Sequence, residues 1–201
     1  MIKEYSMAVK NDTKIVTPEF RVSYCNIFTP TKNESGQDVY GLTMIYGPDT
    51  DITPLLNLAK AKKEEKWGKD FAGKVKTPFR KGTPDEFDLT KNPEYKGNII
   101  VAARSYNHPV GLVNTRREPI IDRNEFYSGC YAIATITAFT YDNPKSGKGV
   151  SFSLQNVMMT RKGEPLAGVR APAEEDFKAI DVSQYESAQD PLSKLDDDLG
   201  I

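Results

Sequence analysis

Features that would indicate an enzyme, a secreted protein or a membrane protein are scarce in this sequence. Its 201 residues include one histidine, one tryptophan and two cysteines, Cys25 and Cys130. Two cysteines at this spacing offer no paired-cysteine metal site, and we expect both to be reduced thiols. No apolar run approaches the roughly 20 residues that span a bilayer, and the N-terminus has no apolar signal-peptide core. We therefore expect a protein that stays in the cytoplasm and contacts no membrane.

Catalytic motifs are also missing. The sequence has no glycine-rich phosphate loop and no nucleophile elbow, and its single histidine, His108, stands in a predicted turn. Glu118, Asp122 and Glu125 are close enough in sequence to hold Mg²⁺ as in a nuclease. Charged residues beside a turn are far more often solvated. We predict that the protein is no enzyme and has no cofactor and no metal site.

The formal net charge of −1 hides a separation of charge along the chain. Residues 173–201 contain nine of the 28 acidic residues and two of the 27 basic ones, which gives this segment a charge of −7. Residues 1–172 keep 19 acidic and 25 basic residues, a charge of +6. This polarity indicates a nucleic-acid-binding domain over residues 1–172 and an acidic, flexible interaction tail over residues 173–201. The alternative is a disordered terminus that only aids solubility.

The stretch from Phe126 to Leu166 predicts a long β-hairpin. Its first strand, Gly129–Tyr141, is rich in β-branched and aromatic residues, and its second is Val150–Met159. Turn formers and two lysines lie between them. Side chains alternate across a strand, so one face is expected to line a tight barrel with Cys130, Ala132, Ala134, Ile136 and Ala138. The aromatic face could stack nucleic-acid bases; the alternative, which the hairpin alone favours, is an ordinary hairpin packed under a helix.

Three more strands and one helix are predicted before the hairpin. The strands are Lys14–Phe28, Val39–Tyr46 and Asn98–Tyr106, and the helix is Ile52–Trp67. In the first strand, the side chains expected to share one face are Phe20, Val22, Tyr24 and Phe28. These elements predict a mainly β protein, a five-stranded OB-fold barrel with one short helix and long loops. A β-sandwich with the same number of strands is the alternative.

Residues 68–97 show no sustained periodicity. Their first half is basic and aromatic, and their second half is acidic. Cations interleaved with aromatic rings suit a protein that binds single strands without regard to sequence, because every nucleotide has a phosphate and every base a π face. An equally supported alternative is a surface loop that its phenylalanines anchor to the core.

Candidate binding residues follow from these patterns. The candidates for contacts with the phosphate backbone are Arg21, Lys69, Lys74, Lys76, Arg80, Lys81, Arg104, Arg116, Arg117, Lys145 and Lys148. The candidates for base stacking are Tyr24, Phe79, Tyr106, Tyr127, Tyr131, Phe139, Tyr141 and Phe152. Only some of these aromatic residues are expected to be exposed, because the barrel also needs a core.

Several short motifs give the sequence a family resemblance. They are FYSGCY (126–131), GEPL (163–166), RVSY (21–24), KTPFR (76–80), YKG (95–97) and PIID (119–122). In this order, over about residues 20–177, the sequence resembles the single-stranded DNA-binding proteins of tailed bacteriophages. The resemblance implies an OB-fold protein that coats single-stranded DNA during phage replication and recombination, in the cytoplasm of the bacterial host.

The resemblance also implies a role for the end of the chain. The segment with Asp196, Asp197, Asp198, Leu199 and Ile201 is similar to acidic, apolar-tipped ends that recruit replication enzymes and compete with DNA. It lacks the terminal phenylalanine common in bacterial relatives, and residues 45–49 lack the lysine expected in this family. The expected partners are single-stranded DNA and phage replication enzymes; binding of duplex DNA, and a monomer or a dimer, stay open. The alternative functions are a phage structural or assembly protein and a DNA-annealing recombination protein.

Overall fold

A computed structural model describes residues 13–144 and 147–166 of the chain. The chain divides into two units, residues 1–167 and 168–201, and all described residues lie in the first. The predicted tail, residues 173–201, lies outside the described part. The described elements are β1 (Ile15–Val16), β2 (Phe20–Lys32), β3 (Asp38–Tyr46), α1 (Thr53–Trp67), β4 (Phe79–Lys81), a 3-10 helix (Pro93–Tyr95), β5 (Ile99–Tyr106), β6 (Gly111–Val113), β7 (Tyr131–Asn143) and β8 (Gly147–Arg161).

Five of the strands close into a ring. β2 pairs antiparallel with β3, β3 pairs antiparallel with β5, and β5 pairs in parallel with β8. β8 pairs antiparallel with β7, which returns to β2. A small ring of five strands is the architecture of the OB fold, and these are the five strands that the sequence predicts. The predicted fold class is confirmed, with β1, β4 and β6 as short additions at β7, β5 and β8.

The interior of the ring matches small side chains with large ones. On β7, the inward positions Ala132, Ala134 and Ala138 are almost fully buried. Phe152 of β8 pairs with Ala138 and is also fully buried. Small and large residues alternate in this way inside narrow barrels. The predicted small-residue face of the hairpin is therefore confirmed as the interior face.

Helix α1 packs its short apolar stripe against the ring. Leu55, Leu58 and Ala59 are buried, and the helix contacts β7 and β8. Before its first turn, the Asp51 carboxylate accepts a hydrogen bond of 2.9 Å from the backbone N–H of Thr53. Gly68 ends the helix with a φ of 83°, a conformation that glycine adopts without steric cost. Among the described residues, no helix is long and apolar enough to cross a membrane.

The first predicted strand, Lys14–Phe28, contains Pro18, which indicates a break or an edge position, and β1 and β2 are indeed separate strands. The structure differs from expectation in two ways. β2 then continues to Lys32, through residues that the sequence predicted as a loop. The prediction that Tyr24 shares the face of Phe20 and Val22 is wrong. The pairing with β3 shifts register between Ser23 and Asn26, and Tyr24 has a φ of 44°, which turns its side chain outward.

Part of the long segment after α1 joins the sheet. β5 and β8 pair at Ala103–Phe152 and Arg104–Ser153. Beside this contact, the backbone of Lys76 bonds to β8 on both sides of Gly149, and β4 pairs with the first half of β5. Residues 76–81 thus lie between β5 and β8, and we name them the 76–81 bridge.

Residues 83–97, which we name the 83–97 loop, cover part of the outer face of the ring. Tyr95 is buried against Ile45 of β3 and Ile100 of β5, both of which point away from the ring interior. The Phe87 ring meets the Tyr95 ring edge-on, with 4.9 Å between the centroids. The Tyr95 hydroxyl bonds to the Ser23 hydroxyl at 3.1 Å, which ties the loop to β2. Burial raises the pKa of Tyr95, so the hydroxyl stays protonated.

We expect the Phe152→Ala variant to lose about 3–5 kcal/mol of unfolding free energy, because it leaves a cavity at the centre of the ring. Urea denaturation followed by circular dichroism measures this change. Phe139→Ala is the matched control, since Phe139 lies on the outer face of β7 and is only partly buried. Equal losses for the two variants would contradict the assignment of faces.

Candidate nucleic-acid interface

A groove crosses the outer face of β2, β3 and β5, where the 83–97 loop leaves the sheet uncovered. Its volume is about 380 Å³. The floor consists of outward residues of β3 and β5, and the walls come from β2 and from the turn between β2 and β3. The lining residues are Tyr24, Asn26, Thr31, Lys32, Asn33, Val39, Tyr40, Gly41, Leu42, Thr43, Ala102 and Arg104. We name this the central groove; an OB fold binds oligonucleotides on the corresponding face.

The floor of the central groove is flat because its residues are small. Gly41 of β3 pairs with Arg104 of β5, and Thr43 pairs with Ala102. A Cβ atom at Gly41 would lie 2.7 Å from the carbonyl oxygen of Ala103 and 3.1 Å from Cγ of Arg104. Glycine at this position therefore lets the exposed Arg104 side chain lie across the strand pair. The result is a low, largely uncharged floor with one cation at its side.

Tyr24 is the exposed aromatic wall of the central groove. Its side chain is 58% exposed although it lies in the middle of a strand. Its hydroxyl donates a hydrogen bond of 2.8 Å to Oδ1 of Asn92, and Nδ2 of Asn92 donates one of 3.2 Å to the carbonyl of Asp88. The 83–97 loop thus fixes the ring at its tip. An exposed ring held by a strained backbone and a dedicated hydrogen bond is typical of a binding site.

Two smaller hollows adjoin the central groove. One, of about 200 Å³, lies on the far side of Tyr24 and is lined by Lys91, Asn92 and Leu166, among others. The other, of about 260 Å³, shares Asn26 with the groove and is lined by Arg123 and Tyr127, among others. The groove shares Tyr24 with the first hollow and Asn26 with the second, so both hollows adjoin it at β2.

Cys25 lines the second hollow, and both cysteines are free thiols. Burial raises the pKa of the Cys25 thiol, so it stays protonated at neutral pH and is a poor nucleophile. Tyr127, a predicted stacking residue, lines the same hollow. Its hydroxyl donates a hydrogen bond of 2.9 Å to the carbonyl of Gly163. Tyr106 lies at the end of β5, opposite Val39 of the groove, and is 38% exposed.

The structure does not gather all predicted cations at the groove. Lys69, Lys74, Lys76 and Lys81 are exposed on the segment between α1 and the 83–97 loop. Lys148 forms an ion pair with Asp142 in the β7–β8 hairpin.

Two other predicted arginines, Arg80 and Arg116, bond to nearby groups of the protein. Arg80 pairs with Glu86 and lies 4.0 Å from the centroid of the Phe87 ring. Arg116 pairs with Glu118 at 2.8 Å, next to the exposed Arg117.

Arg21 has an unusual environment at the outer face of β2. Its Nη2 donates a hydrogen bond of 2.7 Å to the carbonyl of Glu164. Its Nε is buried and has no hydrogen-bond partner among the described residues. The side chain therefore holds the segment after β8 and is not in the central groove.

The predicted stacking residues also separate into groups. Phe152 is corrected: its ring is fully buried inside the barrel and no base can reach it. Phe79 is partly buried and meets Phe152 edge-on at 5.7 Å, so it packs on the core. The Arg161 guanidinium lies 3.3 Å from the centroid of the Tyr131 ring and covers one of its faces.

Two further stacking candidates lie on the outer face of β7. Phe139 and Tyr141 are partly buried there. The Tyr141 ring lies over Gly149, where a Cβ atom would be 2.1 Å from Cζ of the ring. Neither residue lines the central groove.

Some predicted site residues lie outside the described residues. In addition, some residues that line the groove or its hollows were not predicted from the sequence. Outside are Lys145 and the tail residues Asp196, Asp197, Asp198, Leu199 and Ile201. The residues that were missed include Asn26, Lys32, Asn33 and Arg123. Lys32 falls in a segment predicted as a loop, and no sequence signal marks the bulge that exposes this face. No group of three or more histidine, cysteine or acidic residues within residues 13–144 and 147–166 is placed to hold a metal ion.

Comparisons with known proteins agree with this architecture. The structure superposes on the single-stranded DNA-binding protein from bacteriophage Enc34 with a TM-score of 0.61 and 23% identity, covering 85% of this chain and 96% of that one. For the same protein in complex with ssDNA, the TM-score is 0.63 and the identity 24%, with coverages of 80% and 96%. For gp2.5 of bacteriophage T7, a single-stranded DNA-binding protein, the TM-score is 0.57 and the identity 13%, covering 86% of this chain and 97% of that one. The fold is thus that of OB-fold phage DNA-binding proteins.

The sequence comparisons identify the family. The chain is 28% identical over 183 residues to "Putative protein p50" of Acyrthosiphon pisum secondary endosymbiont phage 1, which covers 86% of this chain and 97% of that protein. The family model described as "Enterobacter phage Enc34, ssDNA-binding protein" matches residues 13–190. The chain belongs to this family. It is a family of DNA-binding proteins, not a family of enzymes.

We expect Tyr24→Asn to keep or slightly raise the unfolding free energy. A tyrosine with positive φ costs about 1 kcal/mol, and asparagine tolerates this conformation, which offsets the lost bond to Asn92. Urea denaturation measures the outcome. Tyr131→Asn is the control at a strand position without a positive φ, and it should lose about 1 kcal/mol. A larger loss at Tyr24 than at Tyr131 would mean that Tyr24 serves stability.

Proposed function

We propose that this protein binds single-stranded DNA in the central groove, without sequence preference, and coats it during phage DNA replication and recombination in the bacterial host cytoplasm. The observation that carries the proposal is Tyr24, an exposed ring held beside a flat groove on the face that OB folds use for oligonucleotides. Membership of the Enc34 ssDNA-binding protein family supports it.

The groove suits unpaired bases. Tyr24 offers a ring face on which any base can stack. In a duplex both faces of a base are already stacked on its neighbours, so a tyrosine at the side of a groove gains little from it. We therefore expect a clear preference for single strands over duplex DNA.

The cations of the central groove and of the adjoining hollow would bind the sugar–phosphate backbone. Arg104 lies at the floor, Lys32 at the turn between β2 and β3, and Arg123 in the adjoining hollow. Lys32 pairs with Asp38 at 2.7 Å, so it must exchange this partner for a phosphate. Arg104 forms no ion pair among the described residues, and it is the strongest candidate for a phosphate contact.

The proposed lack of sequence preference follows from the side chains on the floor of the central groove. Gly41 and Ala102 present no side-chain donor or acceptor, and Thr43 presents one hydroxyl. Stacking on Tyr24 and attraction to phosphates do not distinguish one base from another. The protein thus holds a strand by features that all nucleotides share.

We expect Arg104→Gln and Tyr24→Asn to weaken binding to labelled oligo-dT, measured by fluorescence anisotropy. The loss at Tyr24 should be about 1–3 kcal/mol for one stacked base. Arg104→Gln should also lower the slope of log affinity against log salt by about 0.7, the contribution of one phosphate contact.

Arg116→Gln is the matched control for charge, since Arg116 lies outside the groove and pairs with Glu118. If Arg116→Gln weakens binding as much as Arg104→Gln, the groove is not the binding site. If the unaltered protein binds a duplex of equal length as tightly as oligo-dT, the preference for single strands is wrong.

The acidic tail is the second part of the proposal: residues 173–201 compete with DNA for the basic domain and recruit replication enzymes through Leu199 and Ile201. The tail charge of −7 against +6 on residues 1–172 supports competition. The described part of the chain ends at Leu166, which lines the hollow beside Tyr24.

We expect the full-length double variant Asp196→Asn/Asp198→Asn to bind oligo-dT more tightly than the unaltered protein at low salt. The difference should vanish near 1 M salt, where the screening length is about 3 Å. The control removes two exposed acids outside the tail, Asp49→Asn/Asp85→Asn. Equal tightening in both variants would indicate net charge alone and contradict competition by the tail.

A further inference from the structure

A second aromatic and basic cluster lies at the end of α1, away from the central groove. Trp67, the single tryptophan of the chain, is the last residue of the helix and is partly exposed. The Phe71 ring stacks on it, with 5.9 Å between the centroids and 28° between the planes. Nζ of Lys148 lies 6.0 Å from the centroid of the Trp67 ring. We name these three residues the Trp67 cluster.

The chain after α1 is built to hold this cluster in place. Gly68 turns the chain, and Gly73 brings it back against Phe71: a Cβ atom at Gly73 would lie 2.3 Å from Cζ of that ring. Lys76 is then fixed to β8, because its N–H donates to the carbonyl of Lys148 and its carbonyl accepts from the N–H of Val150, each at 2.9 Å. The rings are therefore positioned by the backbone on both sides.

Exposed cations lie close to the cluster in sequence. Lys69, Lys74 and Lys76 are exposed, and none of them takes part in an ion pair between described residues. Two acids are nearby: Asp142, which pairs with Lys148, and the exposed Asp70. Positive charge exceeds negative charge even with both acids counted. A partly exposed aromatic pair rimmed by cations has the composition of a binding site for a base and its phosphate.

The register of the sheet gives the distance of this cluster from the central groove. Phe152 of β8 pairs with Ala103 of β5, so Lys148, four residues earlier, lies level with Ile99. Arg104 lies five residues further along β5, roughly 17 Å at about 3.3 Å per residue. The 83–97 loop covers Ile100 in between. The cluster is thus a separate place on the surface and not an extension of the groove floor.

We propose that the Trp67 cluster is a second nucleotide-binding site, which takes a base and the adjoining phosphates of a single strand whose other part occupies the central groove. This rests on the proposed function for the groove site. Its consequence is a footprint in two parts: a short oligonucleotide fills the groove, and a longer one also reaches Trp67 and the lysines of the 76–81 bridge and the segment before it.

The first test uses the fluorescence of Trp67 in the full-length protein, because no other tryptophan contributes. Labelled oligo-dT of about 16 nucleotides, the upper end of OB-fold site sizes, is titrated while anisotropy and tryptophan emission are recorded together. We expect the emission to be quenched in parallel with the rise in anisotropy. Binding without a change in emission would overturn the second site and leave the groove in place; no binding at all would overturn the proposed function itself.

The second test separates direct contact from an indirect effect on Trp67. Lys74→Gln/Lys76→Gln removes two cations near the cluster without altering a ring, and Lys14→Gln/Lys96→Gln removes two exposed cations elsewhere. We expect the first pair to lower the salt slope for the long oligonucleotide by about 1.4, or about 0.7 per phosphate contact. It should leave binding of an oligonucleotide of about 4 nucleotides unchanged. Equal effects of the two pairs, or equal effects on both oligonucleotides, would overturn the proposal. Unchanged urea midpoints show that the variants are folded.

Discussion

The closure of five strands into one ring is the constraint on which the rest of the structure depends. The ring is closed on one side by two parallel pairs between β5 and β8 and on the other by two antiparallel pairs between β2 and β7. Such short contacts are sufficient because the interior is a buried apolar core in which alanines face large side chains. The space that remains between β5 and β8 is filled by the 76–81 bridge. Closure also removes exposed edges, which would otherwise pair with other chains.

Because the interior is filled by side chains, binding must use the outside of the ring. There the 83–97 loop divides the face of β3 and β5 into two parts. Over Ile45 and Ile100 it forms a small second core, and beyond Tyr24 it stops and leaves the central groove open. The same loop supplies Asn92 to the hydroxyl of Tyr24. One segment therefore stabilises the sheet, limits the groove and positions its exposed ring.

The secondary-structure elements could be predicted from the sequence more fully than the site. The ring strands, α1 and the two faces of the hairpin follow from alternation and helical spacing, which report on local burial. Phe152 was misplaced as a stacking residue because aromatic content alone does not tell an inner from an outer face. Tyr24 was assigned to the wrong face of its strand, because the register shift that turns it outward depends on the pairing with β3 and leaves no local signal. The groove combines residues far apart in the chain, so its membership appears only after folding.

The order of the ring strands along the chain has a consequence for the order of folding. β7 and β8 are neighbours in sequence and form a local hairpin, whereas β2 meets β7 across more than a hundred residues. Non-local contacts of this kind form slowly, since loop closure must come first. During synthesis from the N-terminus, β2, β3 and β5 leave the ribosome well before the strands that complete their pairing. The ring can therefore close only when translation has passed Arg161, the last residue of β8, and until then β2 and β5 lack the strands that complete their pairing.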